Sequence, residues 1–238
     1  MDIAQLRHST AHVMAAAVCR LFPDVRLDIG PATEDGFYYD FDLPKRLSPE
    51  DFPGIEAEMR KLIAQDLPFE RLEMSRADAE AVLKKNGQTY KVQRLADIPE
   101  GETITFYRCG DFMDLCRGPH VPSTREIKAF KLVSVAGSYF RGKETNPMLQ
   151  RIYGVAAESE SVLKAELDRI EEALRRDHRK VGKELDLFSI EEDVGPVIHE
   201  PITERKDVDR LAAIDPEKDL TFIAETIGLL RDAVDVPV

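Results

Sequence analysis

The sequence predicts an α+β fold, in which an antiparallel sheet packs against helices and is followed by a long charged helix and a short helical segment. Helix-like and strand-like patterns interleave without a regular repeat, and glycine and proline clusters mark turns between them. We expect residues 1–156 to form one domain, residues 157–193 a linker helix, and residues 194–238 a separate, incomplete segment.

The composition is that of a soluble globular protein. Of 238 residues, 43% are hydrophobic and 33% are charged. Three cysteines, Cys19, Cys109 and Cys116, cannot all pair, which is typical of a reducing cytosol. The sequence has no uninterrupted apolar run of the roughly 18 residues that a membrane span needs. We therefore expect a cytoplasmic protein that does not bind membranes.

The charge balance restricts the partners. A net charge of -12 argues against non-specific binding of polyanions, so any contact with nucleic acid must be local. Basic residues do recur through the middle of the chain, and a solvated basic face is the alternative interpretation. They are Arg117, Lys128, Lys131, Arg141, Lys143 and Arg151.

The first elements follow from periodicity and turn signals. Apolar residues at spacings of three and four predict a helix over residues 3–21, which Pro23 terminates. Aromatic residues and two turn signals predict a strand hairpin over residues 27–42. Ser48 and Pro49 then mark the start of a helix that runs to about residue 65.

The middle of the chain predicts shorter elements. A strand over residues 69–74 precedes a helix over 77–85, which begins after Ser75 and stops at Asn86-Gly87. Lys91 lies just after that stop. Further strands are predicted over residues 103–107, 113–115 and 130–139.

The last third predicts helices. A long charged helix over residues 158–183 carries one apolar stripe, as a helix between domains often does. Beyond Gly195-Pro196 two short helices are predicted over residues 203–211 and 220–234.

Three histidines and one cysteine form two matched four-residue steps. His8 and His12 share one face of the first helix, and Cys116 and His120 flank a Gly-Pro turn far downstream. This ligand set suits tetrahedral zinc. Without a metal, the same side chains could hold a water in a hydrolytic pocket. The third interpretation is that they are core histidines and an inert buried thiol.

Five stretches carry a family resemblance. They are His8-Ser-Thr-Ala-His12, Ile29-Gly-Pro-Ala-Thr-Glu-Asp-Gly-Phe-Tyr-Tyr-Asp40, Tyr90-Lys91-Val92, Asp114-Leu-Cys-Arg-Gly-Pro-His120 and Gln150-Arg-Ile-Tyr-Gly154. In this order they resemble the amino-terminal editing domain of threonyl-tRNA synthetases, which is the second additional domain shared with alanyl-tRNA synthetases. The resemblance extends from about residue 2 to residue 195.

The resemblance implies hydrolysis of seryl-tRNA made in error on threonine tRNA, with the tRNA acceptor end as partner. It implies that Tyr39 lies against the end of the substrate, and we expect Arg117 to contact substrate as well. Lys91 and a histidine would orient the attacking water or take its proton, and Asp114 would hold the ammonium of serine. The pocket residues that it implies are His8, His12, Lys91, Asp114, Cys116 and His120.

The resemblance also bears on cofactors. No cofactor is required, since a metal is not generally expected in threonyl members. Related alanyl editing domains use the same pattern to bind zinc, so zinc at His8, His12, Cys116 and His120 stays an alternative.

Residues 195–238 resemble an internal piece of uroporphyrinogen decarboxylase, a (β/α) barrel enzyme. The stretch stops where the next barrel strand would begin, so we expect neither a closed barrel nor its chemistry. We expect no ATP site in this chain and hence no aminoacylation. Two alternatives stay open: a tRNA-binding remnant without turnover, and a chimeric reading frame with no selected function.

Overall fold

A computed structural model describes residues 2–177 and the backbone of residues 189–191 and 195–197. Its helices are α1 (Ile3–Leu21), α2 (Phe52–Ala64), α3 (Arg76–Lys85), α4 (Thr89–Ala96) and α5 (Glu160–Arg175). Its strands are β1 (Arg26–Leu27), β2 (Phe37–Asp42), β3 (Phe69–Met74), β4 (Ile104–Cys109), β5 (Phe112–Leu115), β6 (Ala129–Tyr139), β7 (Met148–Ala157), β8 (Ser189–Glu191) and β9 (Gly195–Val197).

Antiparallel pairing joins the described strands into three sheets. A four-stranded sheet has the order β1-β2-β7-β6, a three-stranded sheet has the order β3-β4-β5, and β8 pairs with β9. The predicted α+β class with antiparallel sheets is confirmed. None of the helices within residues 2–177 is long and apolar enough to cross a membrane.

Helix α1 forms the centre of the larger core. Asp2 caps it by accepting a hydrogen bond from the Ala4 backbone N–H, and Phe22 ends it one residue before Pro23. Its residues from Leu6 to Val18 are buried on most sides, because α1 packs both on α2 and on strands β2 and β7. The predicted helix is confirmed, but it is far more enclosed than an amphipathic surface helix.

Strand β2 supplies the apolar wall that faces α1. Phe37, Tyr39 and Phe41 alternate along the strand and are each no more than 1% exposed. Full burial of such side chains contributes about 1.5–3 kcal/mol each to folding. The predicted hairpin over residues 27–42 is confirmed, since β1 pairs with β2.

A second, smaller core lies between helices α3 and α4 and the three-stranded sheet. It is formed by Ala79, Leu83, Leu95, Ile104 and Phe106. Ser75 caps α3 by accepting a hydrogen bond from Asp78 N, as predicted. Gly87, with φ of +67°, stops α3.

Helix α4, strand β7 and the short strands β8 and β9 are absent from the sequence predictions. The chain re-enters a helix, α4, immediately after the α3 stop, and β7 is the central strand between β2 and β6. The Asn86-Gly87 signal predicts only a stop, and the sequence predictions include no strand around Gln150. The predicted helix over residues 49–65 also differs slightly, because residues Pro49–Asp51 form a 3-10 turn before α2.

Helix α5 confirms the first part of the predicted charged helix. Leu163 is buried, and Leu167 and Ile170 pack beside it on Val155 and its neighbours. The predicted apolar stripe of this helix is Leu163, Leu167, Ile170 and Leu174, and of these Leu174 is 65% exposed. The predicted helix extends to residue 183, whereas α5 ends at Arg175 and residues 176–177 are not helical. Residues 178–183 and the predicted helices over 203–211 and 220–234 lie outside the described residues.

Internal contacts divide the chain into two compact units, Met1–Ala173 and Leu174–Val238. The first contains both cores and all of the residues predicted to form the site. The predicted domain limits at residues 156 and 193 stay predictions.

Candidate functional site

Helix α1 places two imidazoles on one face. His8 and His12 are one turn apart, and their ring centroids lie 5.0 Å from each other. His12 is 3% exposed, whereas His8 is half-buried. The first half of the predicted constellation is therefore in place, with His12 deeper than His8.

The loop after β5 returns to α1 and delivers Cys116 and His120. Gly118 adopts a φ of +68°, and a Cβ at this position would lie 2.3 Å from the Tyr107 hydroxyl oxygen. Only glycine fits both the conformation and the space. The turn thus brings Cys116 Sγ to 3.3 Å from His8 Nε2.

His120 completes the cluster from the other end of this loop. Its Nε2 lies 3.4 Å from Cys116 Sγ, and its ring centroid lies 4.2 Å from that of His12. Phe69 stacks on its outer face at 4.8 Å. The structure therefore brings together all four residues of the two matched steps.

These four side chains could hold a metal. One ligand atom from each of His8, His12, Cys116 and His120 lies within 4.8 Å of the others. Tetrahedral zinc needs its nitrogen and sulfur ligands roughly 3.4–3.6 Å apart, so small side-chain rotations would suffice. The donor set and its spacing fit zinc.

The cluster is uncharged at neutral pH. Burial lowers the pKa of His8 and His120 and lowers that of His12 well below its ordinary value. Burial also raises the pKa of the Cys116 thiol to about 12. The imidazoles therefore present lone pairs, and the sulfur is a thiol rather than a thiolate.

A buried ion pair lies beside this neutral cluster. Lys91 Nζ is 2.6 Å from Asp114 Oδ1, and the side chains are 5% and 3% exposed. The Tyr39 hydroxyl donates to Asp114 Oδ2 at 2.5 Å, and His12 Nε2 lies 3.8 Å from the same oxygen. Asp114 thus connects the lysine, the tyrosine and the histidine cluster.

The lysine reaches this position because α4 exists. Lys91 occupies the first turn of α4, and the strand pairing of β4 with β5 fixes Asp114 opposite Tyr107. The sequence indicates Lys91 as a site residue through its motif alone. Its physical support, a short helix directly after Gly87, is not among the sequence predictions.

Tyr39 and Arg117 occupy different kinds of position. Tyr39 is fully buried, and its ring lies so close to Gly30 that a Cβ there would approach to 2.0 Å. Burial raises its pKa well above the ordinary value, so it remains a hydroxyl donor. Arg117 is at the surface beside Cys116, its side chain 77% exposed and paired with Glu102.

A cavity of about 290 Å³ borders the ion pair. Lys91 and Asp114 contribute to its wall, together with Cys19 from α1 and the aromatic rings of Phe106 and Phe112. Ligand pockets begin at about 300 Å³, so this volume suits a small group rather than a large one.

One buried hydroxyl was missed by sequence reasoning. Ser9 is 0% exposed and lies between the two histidines of α1, with its Oγ 3.1 Å from His120 Nδ1. Because Ser9 is flanked by the polar residues His8 and Thr10, no local sequence signal distinguishes it.

Comparison with protein families adds to this geometry. Residues 104–153 match the family model described as the threonyl and alanyl tRNA synthetase second additional domain. The match includes Asp114, Cys116 and His120. Residues 187–238 match the family model of uroporphyrinogen decarboxylase. The α+β fold with antiparallel sheets is consistent with that of a second additional domain.

Individual proteins match a longer part of the chain than the family models do. The chain is 57% identical over 191 residues to the threonine–tRNA ligase of Nitratidesulfovibrio vulgaris strain DP4, which is 80% of this chain and 30% of that protein. It is 58% identical over 190 residues to the threonine–tRNA ligase of Carboxydothermus hydrogenoformans, with the same two coverages. It is 54% identical over 194 residues to the threonine–tRNA ligase of Lawsonia intracellularis, which is 82% of this chain and 30% of that protein.

The predicted resemblance to the amino-terminal region of threonyl-tRNA synthetases is thereby confirmed. The chain spans about 30% of the length of the curated relatives that it matches.

Proposed function

We propose that the unit containing this pocket hydrolyses the ester of tRNA mischarged with serine on threonine tRNA. The observation that carries the proposal is the juxtaposition of neutral imidazoles with a buried lysine–carboxylate pair. A neutral imidazole can accept a proton from water, and the lysine of the buried pair can stabilise negative charge on an ester oxygen.

The reaction would use water as the nucleophile. An imidazole of the cluster accepts a proton as the water oxygen attacks the ester carbonyl. The bond between the carbonyl carbon and the ribose oxygen then breaks, and the imidazolium returns its proton to the ribose oxygen. His12 is the imidazole best placed for this role, because its Nε2 lies 3.8 Å from the carboxylate that holds Lys91. Lys91 would meet the negative charge that develops on the carbonyl oxygen.

Asp114 has a more limited role toward substrate than the resemblance implies. Both of its oxygens are already hydrogen-bonded, one to Lys91 and one to Tyr39. A carboxylate has about four lone-pair sites, so it can still accept the ammonium of serine beside these partners. Its first effect is to hold Lys91 in place.

Selectivity follows from size. Serine and threonine differ by one methyl group, and a pocket that merely binds the larger residue separates them by only about 1–3 kcal/mol. A second, smaller site that rejects threonine multiplies this discrimination. The cavity of about 290 Å³ reaches Lys91 and Asp114 but is not lined by His8, His12, Cys116 or His120, so rejection of the methyl group would come from the residues around the ester rather than from the cavity volume.

Zinc is compatible with the same side chains. If bound by His8, His12, Cys116 and His120, it would supply a Lewis acid and an activated water. The threonyl rather than alanyl character of the motifs leads us to propose hydrolysis without it.

Single-turnover hydrolysis tests the proposal. The full chain is mixed at high concentration with seryl-tRNA or threonyl-tRNA, and loss of the ester is followed. We expect faster loss of the seryl ester, and a roughly 100-fold or greater slowing by His12→Ala.

Thr10→Ala is the matched control, because Thr10 lies on the same helix, outside the four-residue step of His8 and His12, and does not line the cavity beside Lys91 and Asp114. Its rate should stay within about twofold of wild type. Equal cleavage of the two esters, or an unimpaired His12 variant, would refute the hydrolytic function. Binding of the acceptor end without cleavage would then favour the non-catalytic remnant.

A further inference from the structure

The buried hydroxyl of Ser9 makes three polar contacts. Its Oγ lies 2.8 Å from the Gln5 carbonyl oxygen, 2.9 Å from the Val121 amide nitrogen and 3.1 Å from His120 Nδ1. Ser9 therefore connects the helix that carries two of the histidines to the loop that carries the third.

The chemistry of the partners decides where the protons lie. A hydroxyl has one proton and two lone pairs, an amide N–H only donates, and a carbonyl only accepts. The three contacts are all hydrogen bonds in one arrangement. In it, Ser9 donates to Gln5, while Val121 N–H and His120 Nδ1–H both donate to Ser9 Oγ.

The remaining nitrogen of His120 then carries a lone pair. A neutral imidazole has a single N–H, so a proton on Nδ1 leaves Nε2 unprotonated. This Nε2 faces Cys116 Sγ at 3.4 Å, inside the cluster. His8 Nε2 faces the same sulfur at 3.3 Å.

We propose that Ser9 is a positioning residue that fixes His120 in the Nδ1–H tautomer, so that its Nε2 lone pair faces the pocket. The effect of this tautomer on ester hydrolysis rests on the proposed function, but the tautomer itself does not. With His120 Nε2 presenting an acceptor, a water in the cluster would donate one of its protons to this nitrogen.

Nitrogen-15 NMR of the histidine rings in the full chain, with a chelator present, tests the proposal directly. We expect the wild-type His120 signals to show a protonated Nδ1 and an unprotonated Nε2. In Ser9→Ala the proton is expected to move, wholly or in part, to Nε2, because Nδ1–H would lose its buried acceptor. The rate of seryl-tRNA hydrolysis should fall about tenfold.

Thr10→Ala is the matched control. Thr10 is equally buried on the same helix, and its hydroxyl also donates to the carbonyl four residues earlier, that of Leu6. This variant loses a comparable hydroxyl and should keep both the wild-type tautomer and the wild-type rate.

The outcomes separate the two proposals. A wild-type His120 protonated on Nε2, or a Ser9→Ala variant that retains the Nδ1 proton, would overturn the inference whatever the hydrolysis rate. The wild-type spectrum determines the tautomer even if Ser9→Ala does not fold. The predicted tautomer without ester hydrolysis would instead refute the proposed function and leave the role of Ser9 standing.

Discussion

The protein buries carboxylates in two different ways. Asp40 is held by Arg151, whose Nε and Nη2 lie 2.7 and 2.8 Å from its two oxygens. Asp114 is held by Lys91 through one contact of 2.6 Å and by the Tyr39 hydroxyl. Arg151 keeps 23% of its side chain exposed, whereas Lys91 keeps 5%.

The two pairs differ in role: Arg151 and Asp40 hold two strands together, whereas Lys91 and Asp114 belong to the candidate site. The guanidinium fork of Arg151 uses its geometry on both oxygens of Asp40 and ties β7 to β2 across their paired positions. An ammonium group has three donors and needs only one of them for Asp114. Lys91 therefore has two N–H donors left for a substrate, whereas the role of Arg151 is to link two paired strands.

The largest expected effect is on hydrolysis. Lys91→Met removes the cation that would stabilise the ester oxygen, and we expect a loss of about 100-fold to 10,000-fold in the single-turnover rate of seryl-tRNA. Arg151→Met should keep the rate within about threefold of wild type, because Arg151 acts on the sheet. Similar losses in both variants would abolish the distinction between the two pairs.

The next effect is on stability. Lys91→Met leaves Asp114 buried without a cation, and we expect the free energy of unfolding to fall by about 3–5 kcal/mol in denaturant titrations. The double variant Lys91→Met with Asp114→Asn should recover part of this loss, since no uncompensated charge remains. A double variant that is less stable than Lys91→Met alone would show that the uncompensated charge of Asp114 is not the cause of the loss.

Arg151→Met provides the matched stability comparison. Because water already reaches part of Arg151, we expect a smaller loss of about 1–3 kcal/mol. A loss larger than that of Lys91→Met would show that exposure does not govern the cost of breaking these pairs.

The neutral histidines predict a pH dependence. Burial lowers their folded-state pKa below the ordinary value of 6.5, so the unfolded chain binds more protons in mild acid. The free energy of unfolding is highest above pH 6.5 and falls as the pH drops below it, by at most about 1.4 kcal/mol per pH unit for each histidine. Denaturant unfolding from pH 7.5 to 5 measures the slope.

His12→Gln should reduce that slope by the share of one histidine. The lowered pKa values of Asp51 and Glu58 act at or below about pH 4, outside this window. Burial raises the pKa of Asp40, which gives a slope of the opposite sign, so the difference between wild type and His12→Gln is the measure of the histidine contribution. The same slope in wild type and His12→Gln between pH 6.5 and 5 would contradict the neutral cluster.

The smallest expected effect is that of a chelator. We expect no change in Tm when a chelator is added and no stoichiometric zinc after dialysis, because hydrolysis is proposed to proceed without metal. Metal that binds the native state alone would add to the free energy of unfolding. Dialysis-resistant zinc that is lost in Cys116→Ser would overturn the expectation.

Much of the site could be predicted from the sequence because its spacing is local. Two histidines four residues apart on a helix must share a face, and a thiol and an imidazole around Gly118-Pro119 must share a turn. The helix over residues 3–21 and the hairpin partner β2 were predictable for the same reason, since period and turn chemistry act within a few residues.

Only the tertiary structure decided which protons and charges those residues carry. Lys91 meets Asp114 because α4 and the β4–β5 pairing place them together, 23 positions apart in sequence, and no local pattern encodes that contact. Burial then makes the imidazoles neutral, and a contact between residues 111 positions apart sets Ser9 against His120. The sequence determined which side chains are available, and packing determined their protonation, because desolvation depends on everything that surrounds a group.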